Sequence, residues 1–275
     1  MREMVAAMKE LAGGNFNVRI NYKGLFRPWE LYDFSMSFNT AAQELSSIEM
    51  LRRDFVNNFS HEFKTPIVSL GGFARLLKEG NLSKEETEEY LGIIVSESDR
   101  LAALATNVLN LSKIENQTIV TEKEPFNVSE QIRRSVLMME SKWSNKELDL
   151  ELELEEMLLY GNAELLSQVW VNVLDNAVKF SPKGAKLTIQ LLDFFDSVIF
   201  KVQDHGPGMD EKTQKSIFDK FYQGDASRAT EGNGLGLTIV KKIVSLHQGH
   251  IEVESSIGKG TTVTIVLPKQ KSVEK

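Results

Sequence analysis

Phe59-Ser60-His61-Glu62-Phe63-Lys64-Thr65-Pro66 stands inside a long apolar repeat, and its reading decides the architecture of the first half of the chain. Leu51, Phe55 and Phe59 lead into it at intervals of four, so the run is expected on a helix. Pro66 should bend that helix, because proline donates no i→i−4 hydrogen bond. His61 then stands on an outer face, with Glu62 beside it and Thr65 about one turn further on. A neutral imidazole is a good nucleophile near pH 7, and a neighbouring carboxylate can orient it and take its proton. Taken alone, the octapeptide fits that chemistry and a surface histidine on a polar face equally well.

Working outward, only Pro66 and Gly71-Gly72 interrupt the stretch from Ile48 to Lys78. One helix is therefore expected from Glu30 to Lys78, a rod of roughly 70 Å at 1.5 Å per residue. Such a rod can relay a rotation or tilt. Upstream, Pro28 suits a first helical turn, and Leu31, Phe34, Phe38, Ala41, Leu45 and Ile48 follow at heptad-like spacing. Met4, Met8 and Leu11 mark an earlier helix that Gly13-Gly14-Asn15 ends, and Phe16 to Lys23 reads as an extended connector. The pair suggests a small parallel bundle formed by two chains. Downstream, Gly80-Asn81 closes the rod and Ser83 with Glu86 forms a capping box. Ile94, Leu101 and Val108 interleave with Leu104 and Leu111, and Ile114 follows, which gives the next helix a two-sided apolar stripe. A hairpin of this kind is half of a four-helix bundle, and a homodimer supplies the other half most simply.

Composition sets the bounds. The 275 residues suffice for two or three domains, and 41% hydrophobic with 26% charged residues is ordinary globular usage. A formal net charge of −7 argues against a nucleic-acid binder. With no cysteine, disulfides and thiolate metal sites are excluded. No run approaches the roughly 18 to 20 apolar residues that cross a bilayer, and the N-terminus is no signal peptide, so the chain as given reads as soluble and cytoplasmic.

After residue 116 the period changes. Leu148, Leu150, Leu152 and Leu154 alternate with acidic residues, as in a half-buried strand. Further strands are expected at Lys186–Asp193, Ser197–Gln203, His250–Ser255 and Thr261–Leu267, with helices at Val128–Trp143, Ala163–Phe180 and Leu235–His247. The fold class is thus a long-helix coiled coil and helical bundle followed by an α/β sandwich, one antiparallel-rich sheet with helices on one face.

Four clusters edge these elements. Asn172, Asp175, Asn176 and Lys179 form a polar stripe opposite Val169, Val173 and Val178; amide oxygens are hard ligands for Mg²⁺, and the lysine suits a phosphate. In Asp204-His205-Gly206-Pro207-Gly208-Met209 the carboxylate can accept the exocyclic amine of adenine while the glycines admit the ring. Gly232-Asn233-Gly234-Leu235-Gly236-Leu237 opens a helix whose N–H groups make an anion site for a triphosphate, although it lacks the form of a P-loop. Gly258-Lys259-Gly260-Thr261-Thr262 is a turn that can close the base pocket. Each cluster is weak by itself; the order and spacing of all four are specific.

In that order the chain resembles a sensor histidine kinase of two-component signalling: a partial HAMP-like linker (1–46, from Trp29-Glu30-Leu31, Phe34, Phe38-Asn39 and Glu44-Leu45), a phosphoacceptor hairpin (47–116), a Bergerat-type ATP-binding domain (117–268) and a tail (269–275). Tyr32 departs from the glycine usual in the linker, and Phe63 and Lys64 replace the commoner leucine and arginine. The resemblance implies that His61 receives the γ-phosphoryl group of ATP, that Glu62 is its base, and that Thr65 positions water when the same domain dephosphorylates its partner. It assigns Asn172, Asn176 and Lys179 to the N box, with Asn172 as the Mg²⁺ ligand, and Asp204, Gly206 and Gly208 to adenine recognition. Phe218 and Phe221 would anchor an ATP lid over Tyr222 to Gly232, with Tyr222 and Arg228 as nucleotide contacts. Gly232, Gly234, Leu235, Gly236, Leu237 and Thr261 complete the nucleotide site. The implied partners are a second copy of the chain and a response regulator whose aspartate takes the phosphoryl group. A membrane-spanning sensor portion is expected to precede this stretch in the full protein.

Two rivals remain at this stage: another ATPase of the same nucleotide-binding superfamily, or an inactive dimeric scaffold. His247 and His250 lack a third metal ligand, His205 is expected in solvent, and Trp29, Trp143 and Trp170 are expected to be packing residues.

Overall fold

The computed structural model describes residues 2–21, 29–224 and 232–269. Pro28, Arg228, the interior of the expected lid and most of the tail lie outside them. Contacts divide the chain into two compact units, Met1–Thr65 and Pro66–Lys275.

In the first unit, α1 (Arg2–Ala12) ends where Gly13 N–H reaches Lys9 O and Asn15 N–H reaches Glu10 O, with Gly14 at φ +90°. Helix α2 (Trp29–Glu79) carries 51 residues and stays helical through Pro66. Met4 and Ala7 of α1, Ile20 of the connector, and Phe38 and Ala42 of α2 form the core, flanked by Leu11, Val18 and Leu31. The Asn39 carboxamide holds the connector in place: it accepts Ile20 N–H at 2.8 Å and donates to Ile20 O at 3.0 Å. The connector covers the face of Phe38 and Ala42, so Ala41 rather than Ala42 is exposed, and Phe34, Leu45 and Ile48 stay at the surface. Trp29, expected to pack, is 72% exposed.

In the second unit, α3 (Lys84–Glu115) starts at the expected capping box: Glu86 N–H donates to Ser83 Oγ at 3.1 Å and Ser83 N–H to Glu86 Oε2 at 2.7 Å. Five strands follow in the order β2 (Asp149–Leu154), β4 (Lys186–Phe194), β5 (Ser197–Asp204), β7 (Gly260–Pro268) and β6 (His250–Ser256). Only β2 and β4 run parallel; the other neighbours are antiparallel. Strict alternation buries Leu187, Ile189 and Leu191 of β4 and Val198, Phe200 and Val202 of β5. Helices α6 (Ala163–Phe180) and α8 (Gly236–Leu246) pack on that face, where Trp170 meets Phe200 edge to face at 4.7 Å, and α4 (Val128–Met138) packs against α6. The end of α3 buries Leu104, Leu111 and Ile114, and α3 packs against α8.

Two features depart from the sequence reading. The helix expected over Val128–Trp143 breaks at Met139, giving α4 and the short α5 (Glu140–Asn145), and the Trp143 indole N–H takes the Val136 carbonyl at 3.0 Å. A small antiparallel pair, β1 (Glu124–Asn127) with β3 (Leu158–Gly161), was not anticipated, because four-residue strands show no readable period. The remaining short helix is α7 (Glu211–Ser216).

Candidate functional site

Helix α6 supplies one wall. Its core side carries Val173, Leu174, Ala177 and Val178, and the 3.6-residue period leaves Asn172, Asn176 and Lys179 half-buried along its rim. The Asn172 amide donates to Gln168 O at 2.7 Å, which turns its oxygen towards the start of α8. A Cβ on Gly236 would lie 2.6 Å from that oxygen, and one on Gly232 would lie 2.6 Å from Lys179 Nζ. The glycine-rich stretch therefore lies directly on the polar rim. Asp175 does not join the site; its carboxylate pairs with Lys142 at 2.5 Å on the exposed side.

The end of β5 supplies the floor. Asp204 is only 7% exposed, and one oxygen, Oδ1, accepts the N–H groups of Gly206 at 2.8 Å and Thr261 at 3.2 Å. That leaves Oδ2 for a donor from a ligand. Burial raises the carboxyl pKa above its ordinary value, against the opposing pull of those two hydrogen bonds and of His205. Gly206 sits so close to α6 that a Cβ would be 2.6 Å from Phe180 O. Sequence reading missed the supports beneath this turn. Ser255 Oγ accepts Met209 N–H at 2.9 Å and bonds Thr261 Oγ1 at 2.9 Å, and Gln214 Nε2 reaches Met209 O and Ser255 O. Both are ordinary polar residues without motif spacing. His205 is exposed, as expected.

The start of α8 supplies the other end. Leu235 is the N-cap residue with no side-chain cap, so the leading N–H groups of α8 have no side-chain acceptor. The Leu235 side chain itself is fully buried; the residue contributes backbone and core, and Leu237 is half-buried. Phe221 N–H donates to Gly234 O at 3.0 Å, Gln223 Nε2 to Gly232 O at 2.8 Å, and Thr238 Oγ1 to Phe218 O at 3.0 Å. Phe221 is buried at φ +61°, and the Tyr222 hydroxyl donates to Thr213 Oγ1 at 3.4 Å.

These parts fit a purine nucleotide. The glycines keep open a cradle that Cβ atoms would fill, a carboxylate lies at one end, and a helix start with a lysine lies at the other. Among the described residues no cluster of three His, Cys, Asp or Glu could hold a metal. A Mg²⁺ ion would rest on the Asn172 amide oxygen and on phosphate oxygens, in keeping with its preference for few protein ligands.

On α2, His61 is exposed, and its carbonyl accepts the Thr65 hydroxyl at 3.2 Å. Phe59 and Phe63 pack together at 4.4 Å, and Glu62 is half-buried. His247 is a different kind of histidine. It is buried, Nδ1 donates to Ile243 O at 2.9 Å, and Nε2 accepts Asn162 N–H at 3.2 Å, so it serves the core.

Residues 161–271 match the family model described as histidine kinase-, DNA gyrase B-, and HSP90-like ATPase, and residues 51–117 match the His Kinase A (phospho-acceptor) domain. The heme sensor protein HssS of Staphylococcus saprophyticus is 30% identical over 269 residues, covering 98% of this chain and 57% of that protein. The signal transduction histidine-protein kinase ArlS of Staphylococcus aureus is 30% identical over 241 residues, covering 86% and 53%. The chain thus spans about half the length of these relatives. Among solved structures, the histidine kinase ThkA in complex with the response regulator protein TrrA is 26% identical with a TM-score of 0.66, covering 88% of this chain and 67% of that one.

Proposed function

The chain belongs to the sensor histidine kinases of two-component systems, and from that premise we propose that it binds ATP in the site between α6, the Asp204 turn and α8 and phosphorylates its own His61. The observation that carries this reading is the convergence of Asn172, Lys179, Asp204 and the α8 start around one glycine-lined cradle. Asp204 takes the adenine amine, the α8 N–H groups and Lys179 hold phosphate oxygens, and Asn172 offers its oxygen to Mg²⁺. Bound Mg²⁺ supplies charge neutralisation on the phosphates.

In the transfer, a ring nitrogen of His61 attacks the γ-phosphorus, the bond from that phosphorus to the β,γ-bridging oxygen breaks, and ADP leaves. Glu62 accepts the proton from the other ring nitrogen. The protein's part is positioning and electrostatics, as in other phosphoryl transfers. The phosphoryl group then passes to an aspartate of a response regulator, and Thr65 serves the reverse role of regulator dephosphorylation. The likeness to a kinase solved with its regulator supports this partner class. The parent protein is expected in the cell membrane and this part of it, as a homodimer, in the cytoplasm; no described helix is long and apolar enough to cross a membrane.

The test is incubation with γ-³²P-ATP. Wild type should gain an acid-labile, alkali-stable label, and His61→Gln should bind ATP but gain none. Label retained in His61→Gln would refute the assignment.

A further inference from the structure

Lys146 belongs to none of the four clusters, yet it holds the end of the helix that carries one of them. Its ammonium donates to Val178 O at 2.9 Å, Lys179 O at 2.6 Å and Ser181 O at 2.9 Å. An ammonium has three donors, and here all three are used on carbonyls at or just past the end of α6. The main chain joins in, because Gly184 N–H donates to Lys146 O at 2.8 Å. One residue from the loop before β2 thus grips the turn after α6 through both its head and its carbonyl.

Carbonyls at a helix C-terminus are orphaned and carry the negative end of the helix dipole, so a cation there is favourable and fixes their direction. The gripped segment includes Lys179, whose Nζ lies against Gly232, and surrounds Phe180, whose carbonyl meets Gly206. Small shifts of this turn would move the phosphate-side lysine and the wall of the base pocket together.

We propose that Lys146 is a positioning residue for nucleotide binding, setting Lys179 and the Phe180 carbonyl by tying down the C-terminal turn of α6. The inference rests on the nucleotide reading above. Lys142 is the internal control: it also contacts α6, but through the exposed Asp175 side chain, and should leave the turn unchanged.

The test compares wild type with Lys146→Gln, Lys146→Arg and Lys142→Gln by calorimetric titration with ADP·Mg²⁺, at a temperature where circular dichroism shows each folded. Loss of one charge-assisted set of hydrogen bonds should weaken ADP about tenfold in Lys146→Gln. Arginine keeps the charge, but its planar fork cannot converge on three carbonyls, so Lys146→Arg should weaken ADP about threefold. Lys142→Gln should match wild type, and the KM for ATP should rise in the Lys146 variants with kcat nearly unchanged. Wild-type affinity in either folded Lys146 variant overturns the proposal, as does equal weakening in Lys142→Gln. Should Lys146→Gln fail to fold, Lys146→Arg decides. Wild type that binds no ADP would instead sink the nucleotide reading.

Discussion

Asn172 and Gly236 meet closely in the site: the amide oxygen of one occupies the space that a Cβ on the other would need, 2.6 Å away. The oxygen proposed for Mg²⁺ is thus held against the first residue of α8.

Gly236→Ala should force that amide aside. Alanine suits helix interiors, so the fold should survive with an unchanged or slightly higher Tm. Affinity for ADP·Mg²⁺ should drop by about tenfold or more, because a charge-assisted contact is displaced. Calorimetry checks it, and wild-type affinity would show that the close approach has no bearing on binding.

Asp204→Asn separates stability from binding. Burial raises the Asp204 pKa in the folded state, so the folded protein holds that proton more tightly than the unfolded chain does. Stability from this group is greatest below the unfolded value, falls as pH rises towards the folded value, and the cost of the buried charge is complete above it. Asparagine keeps an oxygen for the Gly206 and Thr261 N–H groups but turns a donor towards the adenine amine. At pH 7 the variant should melt no lower than wild type yet lose nucleotide binding. A large fall in Tm would contradict the account.

His247 gives an acid sensitivity of opposite sign. Burial chiefly, with the charge of Lys123 adding to it, lowers its pKa below 6.5, while the bond to Ile243 O opposes this. Its contribution is present above the unfolded value and is lost as pH falls through the folded one. Wild type should lose Tm between pH 7 and pH 5 more steeply than His247→Gln does. Parallel curves would remove His247 as the cause.

Thr65→Ala removes a hydroxyl whose described bond is local, to the His61 carbonyl. The helix should remain intact, since alanine has the higher propensity. Autophosphorylation should persist near wild-type rate, and dephosphorylation of a phosphorylated regulator should fall by about two orders of magnitude, within the range of a lost catalytic proton or water contact. Equal loss of both activities would deny Thr65 a separate role.

The expected boundaries of α6 and of the capping box at Ser83 match the structure, and β4 and β5 differ by one residue at an end. These rest on local physics: apolar period, cap chemistry, and proline or glycine at ends. The break at Met139 and the exposure of Trp29 do not, because each depends on what another segment covers.

The same division runs through the site. Sequence alone singled out the candidate nucleotide residues, because glycines, carboxamides and a carboxylate at helix starts and strand ends declare themselves by type and spacing. Tertiary structure decided which of them meet, turning Asp175 outward to Lys142 and bringing Asn172 onto Gly236. It also brought in Lys146, Ser255 and Gln214, whose partners lie far along the chain. A hydrogen bond between distant residues leaves no period in the sequence, so only the folded chain shows it.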